Sequence, residues 1–174
     1  MAYECQHYRL LTEHDRNLMN RQLLSKCDNN LAEGWYRISG GAGAQMPIAC
    51  PGPGRCNTEY PGWLFGSHPH KDDGCVERMV CFGDYVSGCC NHRRKVLVRN
   101  CGEFYVYKLG PTPGCNFRYC GRDAPRNMDG LWTADFRETL VFKLGLFRLM
   151  KLVFLFHPDA ISLWIMDHFY SSQC

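Results

Sequence analysis

The chain of 174 residues lacks several features that would assign it an activity. No asparagine begins an Asn-x-Ser or Asn-x-Thr acceptor, which excludes ordinary N-glycosylation of this polypeptide. No Cys-x-x-Cys pair is present, so the usual source of zinc ligands is missing. The net charge is only +3 and the charges are interspersed, which argues against nucleic acid as a partner.

A secretory signal is also missing from this sequence. The first residues, MAYECQHYRLL, contain no charged n-region, no apolar h-region and no small-residue cleavage site. We therefore expect either that the natural start is absent, as in an incomplete gene product, or that the protein stays in a non-secretory compartment.

No convincing membrane span occurs in the apolar C-terminal segment. Lys143, Arg148 and Lys151 interrupt it, so its charge-free runs are far shorter than the roughly 20 residues that a bilayer crossing needs. The three cations fall on one arc of a helix, which fits a tail at a membrane interface, but Pro158 would break that helix. We expect residues 122–174 to be a helical or disordered tail, and leave open whether residues 126–174 are native sequence.

Residue pairs for catalysis are scarce as well. Three carboxylates lie close in sequence, Asp72, Asp73 and Glu77. Their setting is typical of a solvated turn rather than of an acid–base pair in a cleft. Cys89 and Cys90 stand near His92, but a cysteine committed to a disulfide is not a nucleophile. We predict that the protein is not an enzyme and needs no cofactor; a secreted hydrolase would require a nucleophile and a base that the sequence does not offer.

Cysteine, in contrast, is abundant: there are 12, and all but Cys174 fall between Cys5 and Cys120. This density is typical of a disulfide scaffold in an oxidising compartment. Zinc is the alternative, with ligands from Cys89, Cys90 and His92, or from His68, His70 and Cys75. We favour disulfides and predict no metal site. The adjacent Cys89 and Cys90 are not expected to bond to each other, because the small ring would distort the disulfide.

The remaining pattern indicates a mostly β fold with long loops. GWYRISG, residues 34–40, is a glycine-bounded run of strand-forming residues. KVLVR and FYVYKL flank NCGE, which predicts a hairpin over residues 95–109 at the centre of the domain. The proline-rich and glycine-rich stretch after Cys50 predicts ordered turns and excludes a central strand.

One short helix is predicted before Cys27, from apolar residues at Leu18, Met19, Leu23 and Leu24. The fold class predicted from all these signals is a small disulfide-rich, mostly β domain with long ordered loops and an added C-terminal tail.

Five segments in order, CDNNLAEGWYRISGGAGAQMP, RCNTEYPGWLFGSHP, VCFGDYVSGCC, VLVRNCGEFYVYKLGPTPGC and RYCG, resemble a known family. The family is the cysteine-rich module of uromodulin, of the major zymogen-granule glycoprotein of the pancreas and of extracellular proteins with von Willebrand factor D and EGF domains. The resemblance covers residues 5–121 and implies a secreted or cell-surface module without catalytic activity, in a larger protein.

The resemblance also implies a disulfide pairing, which the sequence alone cannot choose because ten cysteines allow about 945 pairings. The implied pairs are Cys5 with Cys101, Cys27 with Cys115, Cys50 with Cys89, Cys56 with Cys120, and Cys81 with Cys90. Cys75 and Cys174 would remain unpaired, as free thiols or intermolecular links.

The aromatic and basic residues have two interpretations. Trp35, Tyr36, Trp63, Tyr105 and Tyr107 are predicted to pack in the core or at its edge, with carbohydrate binding as the less favoured alternative. The basic run after His92 is predicted to be a solvated strand entrance, and its candidate contacts with an acidic glycan or partner are Arg93, Arg94 and Lys95.

These observations favour a non-enzymatic, extracellular or cell-surface recognition or scaffolding module, whose partners would be extracellular proteins or glycans. The alternative is a cytosolic, zinc-stabilised or redox-active cysteine protein. Relatives in the family can act as decoys for bacterial fimbrial lectins through N-glycans, and Phe65 and Lys108 stand where two of the glycosylated asparagines would be. We therefore expect no decoy binding through N-glycans here.

Overall fold

The computed structural model describes residues 2–21, 26–124 and 174. Within these residues, seven strands form one sheet in the order β1-β2-β6-β5-β4-β3-β7. The strands are β1 (Arg9–Leu11), β2 (Gly34–Ile38), β3 (Tyr60–Phe65), β4 (Cys75–Phe82), β5 (His92–Asn100), β6 (Tyr105–Leu109) and β7 (Phe117–Tyr119). The described residues also form four short 3-10 helices, one before β1 at Tyr3–Cys5 and three between strands at His14–Arg16, Gly40–Ala42 and Lys71–Asp73. The mostly β, disulfide-rich fold predicted from the sequence is confirmed.

The predicted hairpin is formed by β5 and β6, which pair antiparallel near the middle of the sheet. Asn100 lies opposite Tyr105, and the backbone N–H of Gly102 donates to the Asn100 side-chain oxygen at 2.8 Å. Gly102 has a φ of +98°, a conformation that glycine adopts without strain. The alternating sequence and the turn residues therefore specify the same hairpin.

One face of the sheet forms the hydrophobic core. Side chains alternate between faces along each strand, so Val96 and Val98 of β5 point inward together with Tyr107 of β6. The other core residues include Tyr36, Ile38, Leu64, Val80, Phe82, Leu109, Phe117 and Tyr119. The opposite face, called the outer face below, carries the intervening side chains.

Strand β3 lies where the sequence predicted turns without a central strand, and that prediction is wrong for Tyr60–Phe65. The strand pairs antiparallel with β4 and parallel with β7. Pro61 has no N–H to donate, yet its carbonyl accepts a hydrogen bond from the Gly83 N–H at 3.2 Å. A Cβ at Gly62 would lie 2.8 Å from the Arg118 carbonyl oxygen, so the glycine permits the close approach of β7. The residues typical of turns instead serve a short parallel pairing.

The helix predicted before Cys27 is wrong over its described residues. Only His14–Arg16 is helical, as one 3-10 turn, and the Asn17 side-chain oxygen then accepts the Met19 N–H at 2.9 Å. Met19 is 78% exposed, so the apolar spacing does not mark a buried helical face. Leu23 and Leu24 lie outside the described residues.

The tail prediction, helical or disordered over residues 122–174, falls mainly on residues outside the described part of the chain. Among the residues that the structure describes, no helix is long and apolar enough to cross a membrane.

Candidate functional site

Six disulfides organise the described part of the chain. Five join the pairs implied by the family resemblance, with Cα–Cα distances of 4.7–5.7 Å. The sixth joins Cys75 to Cys174, with Cα atoms 5.7 Å apart, so the expectation that these two are unpaired does not hold in the structure. The Cα separation is within the range that a disulfide spans, and the Cys174 sulfur lies 3.2 Å from a Glu4 carboxylate oxygen.

The adjacent cysteines tie separate segments together. Cys89 bonds to Cys50 and Cys90 bonds to Cys81 of β4. The indole N–H of Trp63 donates to the Cys89 carbonyl at 2.8 Å, which adds β3 to the same junction. Because both cysteines are in disulfides, neither supplies a thiolate for the nucleophilic or zinc-binding arrangements considered with His92.

The second metal hypothesis, with His68, His70 and Cys75, meets the same obstacle because Cys75 is in a disulfide. His68 instead lies against the core, where its Nε2 is 2.8 Å from the Tyr107 hydroxyl. Burial, followed by the nearby cations Arg122 and Arg78, lowers the pKa of His68 from 6.5 to about 4. The imidazole is therefore neutral at physiological pH, as part of the packing around Tyr107.

The three carboxylates noted in the sequence do not form a cleft. Asp72 and Asp73 are exposed in the 3-10 turn after His70, and an Asp73 carboxylate oxygen accepts the His70 N–H at 2.8 Å. Glu77 is on β4 and forms a 2.9 Å ion pair with Lys95 of β5. Their roles are turn capping and surface pairing.

The predicted aromatic residues differ in burial. Tyr36, Trp63 and Tyr107 are buried, whereas Trp35 and Tyr105 are half-buried. Buried Tyr107 accepts a hydrogen bond from the Met46 N–H at 3.0 Å, and burial raises the pKa of its hydroxyl. Tyr36 and Tyr107 belong to the core and Tyr105 packs against it, in agreement with the packing interpretation. Trp35 and Trp63 lie on the outer face instead, opposite Lys108 and Cys81.

The basic run of β5 is split between the two faces. Arg93 and Lys95 are exposed on the outer face, while Arg94 points the other way and donates to the Pro111 carbonyl. Strand alternation separates these neighbours, so the three residues do not form one cluster. Arg94 is a structural contact, and only Arg93 and Lys95 remain as candidate surface contacts.

The outer face continues from these two cations across the neighbouring strands. Lys95 lies opposite Met79 of β4, and Met79 lies opposite Phe65 of β3. Leu97 lies between Glu77 of β4 and Lys108 of β6. Directly opposed residues of antiparallel strands share a face. We call the following set the outer patch: Phe65, Met79, Arg93, Lys95, Leu97 and Lys108.

Phe65 is the most exposed apolar member of the outer patch, at 60%. Met79, Leu97 and Lys108 are half-buried. The patch was not evident from the sequence, although the alternation in CVERMVC and RRKVLVR is a signal that β4 and β5 each present a second face.

A separate groove of about 600 Å³ lies near the 3-10 helices His14–Arg16 and Gly40–Ala42, lined by His14, Asn17, Met19, Asn20, Arg21, Gly40, Gly41 and Asp123. Its polar groups already contact each other: Asn17 donates to Asp123 at 3.0 Å, and Asn20 lies 3.4 Å from His14. We therefore place the candidate site on the outer patch.

The sequence that builds this sheet is similar to sequences of known proteins. Residues 36–121 match a family model described as a "Uromodulin-like" domain. The chain is 40% identical over 132 residues to the pancreatic secretory granule membrane major glycoprotein GP2 of Mus musculus, an alignment covering 72% of this chain and 24% of the relative. GP2 of Homo sapiens is 41% identical over 117 residues, covering 67% and 21%. Uromodulin of Mus musculus is 40% identical over 117 residues, covering 67% and 18%. The chain thus spans a quarter or less of the length of these relatives.

Proposed function

Because this chain belongs to the uromodulin-like domain family, we propose that residues 5–121 form a non-enzymatic recognition module of a larger extracellular or cell-surface protein. The relative GP2, named as a major glycoprotein of the secretory granule membrane, supports this location. The disulfides support it too, since such bonds persist in the oxidising secretory pathway.

The observation that carries the recognition role is the outer patch. Six disulfides and a buried core hold the sheet, while one face presents Phe65 and Arg93 to solvent and also carries the half-buried Lys108. A rigid scaffold with exposed aromatic and basic side chains loses little conformational entropy when a partner binds. The contact would be made by the polypeptide, because the sequence contains no N-glycan acceptor.

The test is expression of the full chain, behind a heterologous signal peptide, in a glycosylating secretory host. We expect a secreted protein whose intact mass, after alkylation with and without reduction, indicates six disulfides. Glycosidase should leave the mass unchanged, and binding to fimbriated bacteria should not be inhibited by mannose. Retained protein with free thiols or bound zinc would instead favour the cytosolic metal or redox alternative.

A positive control is available within the chain. Phe65→Asn creates an Asn-Gly-Ser acceptor with Gly66 and Ser67 in one substitution, at an exposed position. This variant should gain a glycosidase-sensitive mass in the same host. A glycosidase-sensitive mass on the unmodified chain, together with mannose-inhibited binding, would contradict the proposal.

A further inference from the structure

We propose that the outer patch binds a sulfated or carboxylated glycan, an inference that rests on the proposed extracellular function and names the class of partner. The patch has its cations on β5 and β6, with Leu97 between Lys95 and Lys108, and its other apolar side chains, Met79 and Phe65, on the neighbouring β4 and β3. Anionic glycans present the complementary features, because acidic groups project from sugar rings whose C–H faces are apolar.

The spacing of the cations is set by the sheet. Arg93 and Lys95 are two residues apart on β5, about 7 Å along a strand. Lys108 lies one strand over, opposite Leu97, which is the next outward position after Lys95. The three cations therefore follow a line along the β5–β6 pair, suited to an extended chain with repeated acidic groups.

The charge balance of this surface favours an anion. Lys95 pairs with Glu77, the acidic residue that the central strands place on this face. Arg93 and Lys108 have no acidic partner among residues 2–21, 26–124 and 174. An exposed arginine keeps a planar, bidentate donor set for carboxylate or sulfate. Two uncompensated cations flank one neutral pair, so the surface attracts negative charge.

The apolar members of the patch favour a sugar over a folded protein partner. A stable protein interface needs a buried core with several aromatic or large apolar anchors. Among the apolar members of the patch, Phe65 alone is more than half exposed, and Met79 and Leu97 are half-buried. Trp35 lies opposite Lys108 on β2 and adds a half-buried aromatic ring beside the cation. This arrangement offers shallow stacking surfaces next to charges.

The experiment measures binding of a heparin-derived decasaccharide to the secreted full chain by surface plasmon resonance, at low and high NaCl. We expect binding that weakens with salt, since exposed charge interactions are screened. Arg93→Glu and Lys108→Glu should each weaken binding about tenfold, because each removes one charged contact and adds a repulsive charge. Intact disulfides and an unchanged urea midpoint would show that the variants fold.

The matched control is Arg21→Glu, which makes the same charge change at an exposed residue of the groove rather than of the sheet. This variant should change the affinity for the decasaccharide less than about twofold, because its charge is distant from the patch and is screened by salt. An equal loss in this control would overturn the assignment to the outer patch, as would a wild-type chain that does not bind the decasaccharide.

A polyglutamate peptide of matched charge tests the alternative partner class. Binding as tight as that of the decasaccharide would overturn the glycan assignment in favour of an acidic protein. Secretion and disulfide formation are measured on the same material, so a secreted, disulfide-bonded chain without glycan binding would refute this inference and leave the proposed function standing.

Discussion

Arginine has opposite roles in two regions of this domain. Near the N-terminus and β7, Arg16 and Arg118 are buried, and each bonds to a carboxylate: Arg16 to Asp28 at 2.6 Å and Arg118 to Asp15 at 3.0 Å. On the outer patch, Arg93 is exposed and has no such partner among the described residues. A buried charge needs a partner to offset its desolvation, whereas an exposed charge remains available to a ligand. Burial thus separates the cations that hold the fold from those that can bind.

The largest effect should follow from breaking the buried pair. Asp28 accepts two hydrogen bonds from Arg16 and one from the Tyr119 N–H at 2.8 Å. Asp28→Ala leaves the Arg16 guanidinium buried with weaker compensation from Glu13, so we expect a loss of about 3–5 kcal/mol of unfolding free energy. Urea denaturation monitored by tryptophan fluorescence measures this loss.

The control for that variant is the exposed pair on the outer face. Glu77→Ala removes the partner of Lys95, and both side chains are more than half exposed. The expected cost is about 0–1 kcal/mol, because solvent screens such a pair. Similar losses for the two variants would contradict the distinction between the two regions.

Removing the disulfides of the adjacent cysteines Cys89 and Cys90 should cause a second, somewhat smaller loss of stability. Cys50–Cys89 closes a sequence separation of 39 residues, and Cys81–Cys90 closes only 9. If the disulfides act by restricting the unfolded chain, replacing the first pair with alanine costs about 4 kcal/mol and replacing the second about 3 kcal/mol. Both values are upper limits, because the loops overlap. Denaturant midpoints of the two double variants would test the order, and a reversed order would show that local packing at Trp63 outweighs loop length.

The sequence predicts the β5–β6 hairpin but not strand β3. The β5–β6 hairpin is evident because alternation and turn residues agree, but Val96, Leu97 and Val98 are all apolar, so the pattern does not tell which face of β5 is buried. Strand β3 is not evident because Pro61 and Gly62 have the local preferences of a turn, which the tertiary pairing with β7 overrides.

Long-range partners are the other part that local reasoning cannot supply. The five disulfide pairs are implied by the family resemblance alone, since cysteine spacing does not determine connectivity. The Cys75–Cys174 bond spans 99 residues, and Cys174 lies outside the region that resembles the family. Neither the cysteine spacing nor the family resemblance therefore indicated this bond. The burial of Arg16 likewise depends on Asp28 and Tyr119, which only the folded chain brings together.

A pH effect is expected from His68, whose ring lies against Tyr107 of the core. The folded-state pKa of His68, about 4, is below its ordinary value of 6.5. Between these values the unfolded chain binds a proton that the folded chain does not, so stability is full above pH 6.5 and falls as pH decreases toward 4. The loss is at most about 3 kcal/mol.

Urea midpoints at about pH 7 and about pH 5 should differ more for the wild type than for His68→Gln, because only the wild type carries this group. An equal change of the urea midpoint in the wild type and in His68→Gln would mean that other groups cause the acid sensitivity.

The smallest effect on stability, and the sharpest probe of the outer patch, is expected from Phe65→Asn. Residue 65 is exposed, and a Cβ at the neighbouring Gly66 would meet no heavy atom within 4 Å, so the new acceptor is open to the glycosylation machinery. An exposed substitution of this kind should change the unfolding free energy by no more than about 0.5 kcal/mol.

The added glycan would cover the patch beside Met79 and Lys95, in register with residue 65. Decasaccharide binding should therefore be lost in the glycosylated variant and recover in part after an endoglycosidase that leaves the asparagine intact, because the cations are unchanged but the Phe65 ring is missing. Lys108→Asn is the control for glycosylation, since the resulting Asn-Leu-Gly triplet is not an acceptor and its mass should not respond to glycosidase. Unimpaired binding by fully glycosylated Phe65→Asn would mean that the anion binds away from this part of the outer face, and that the exposed cations of β5 do not bind the glycan.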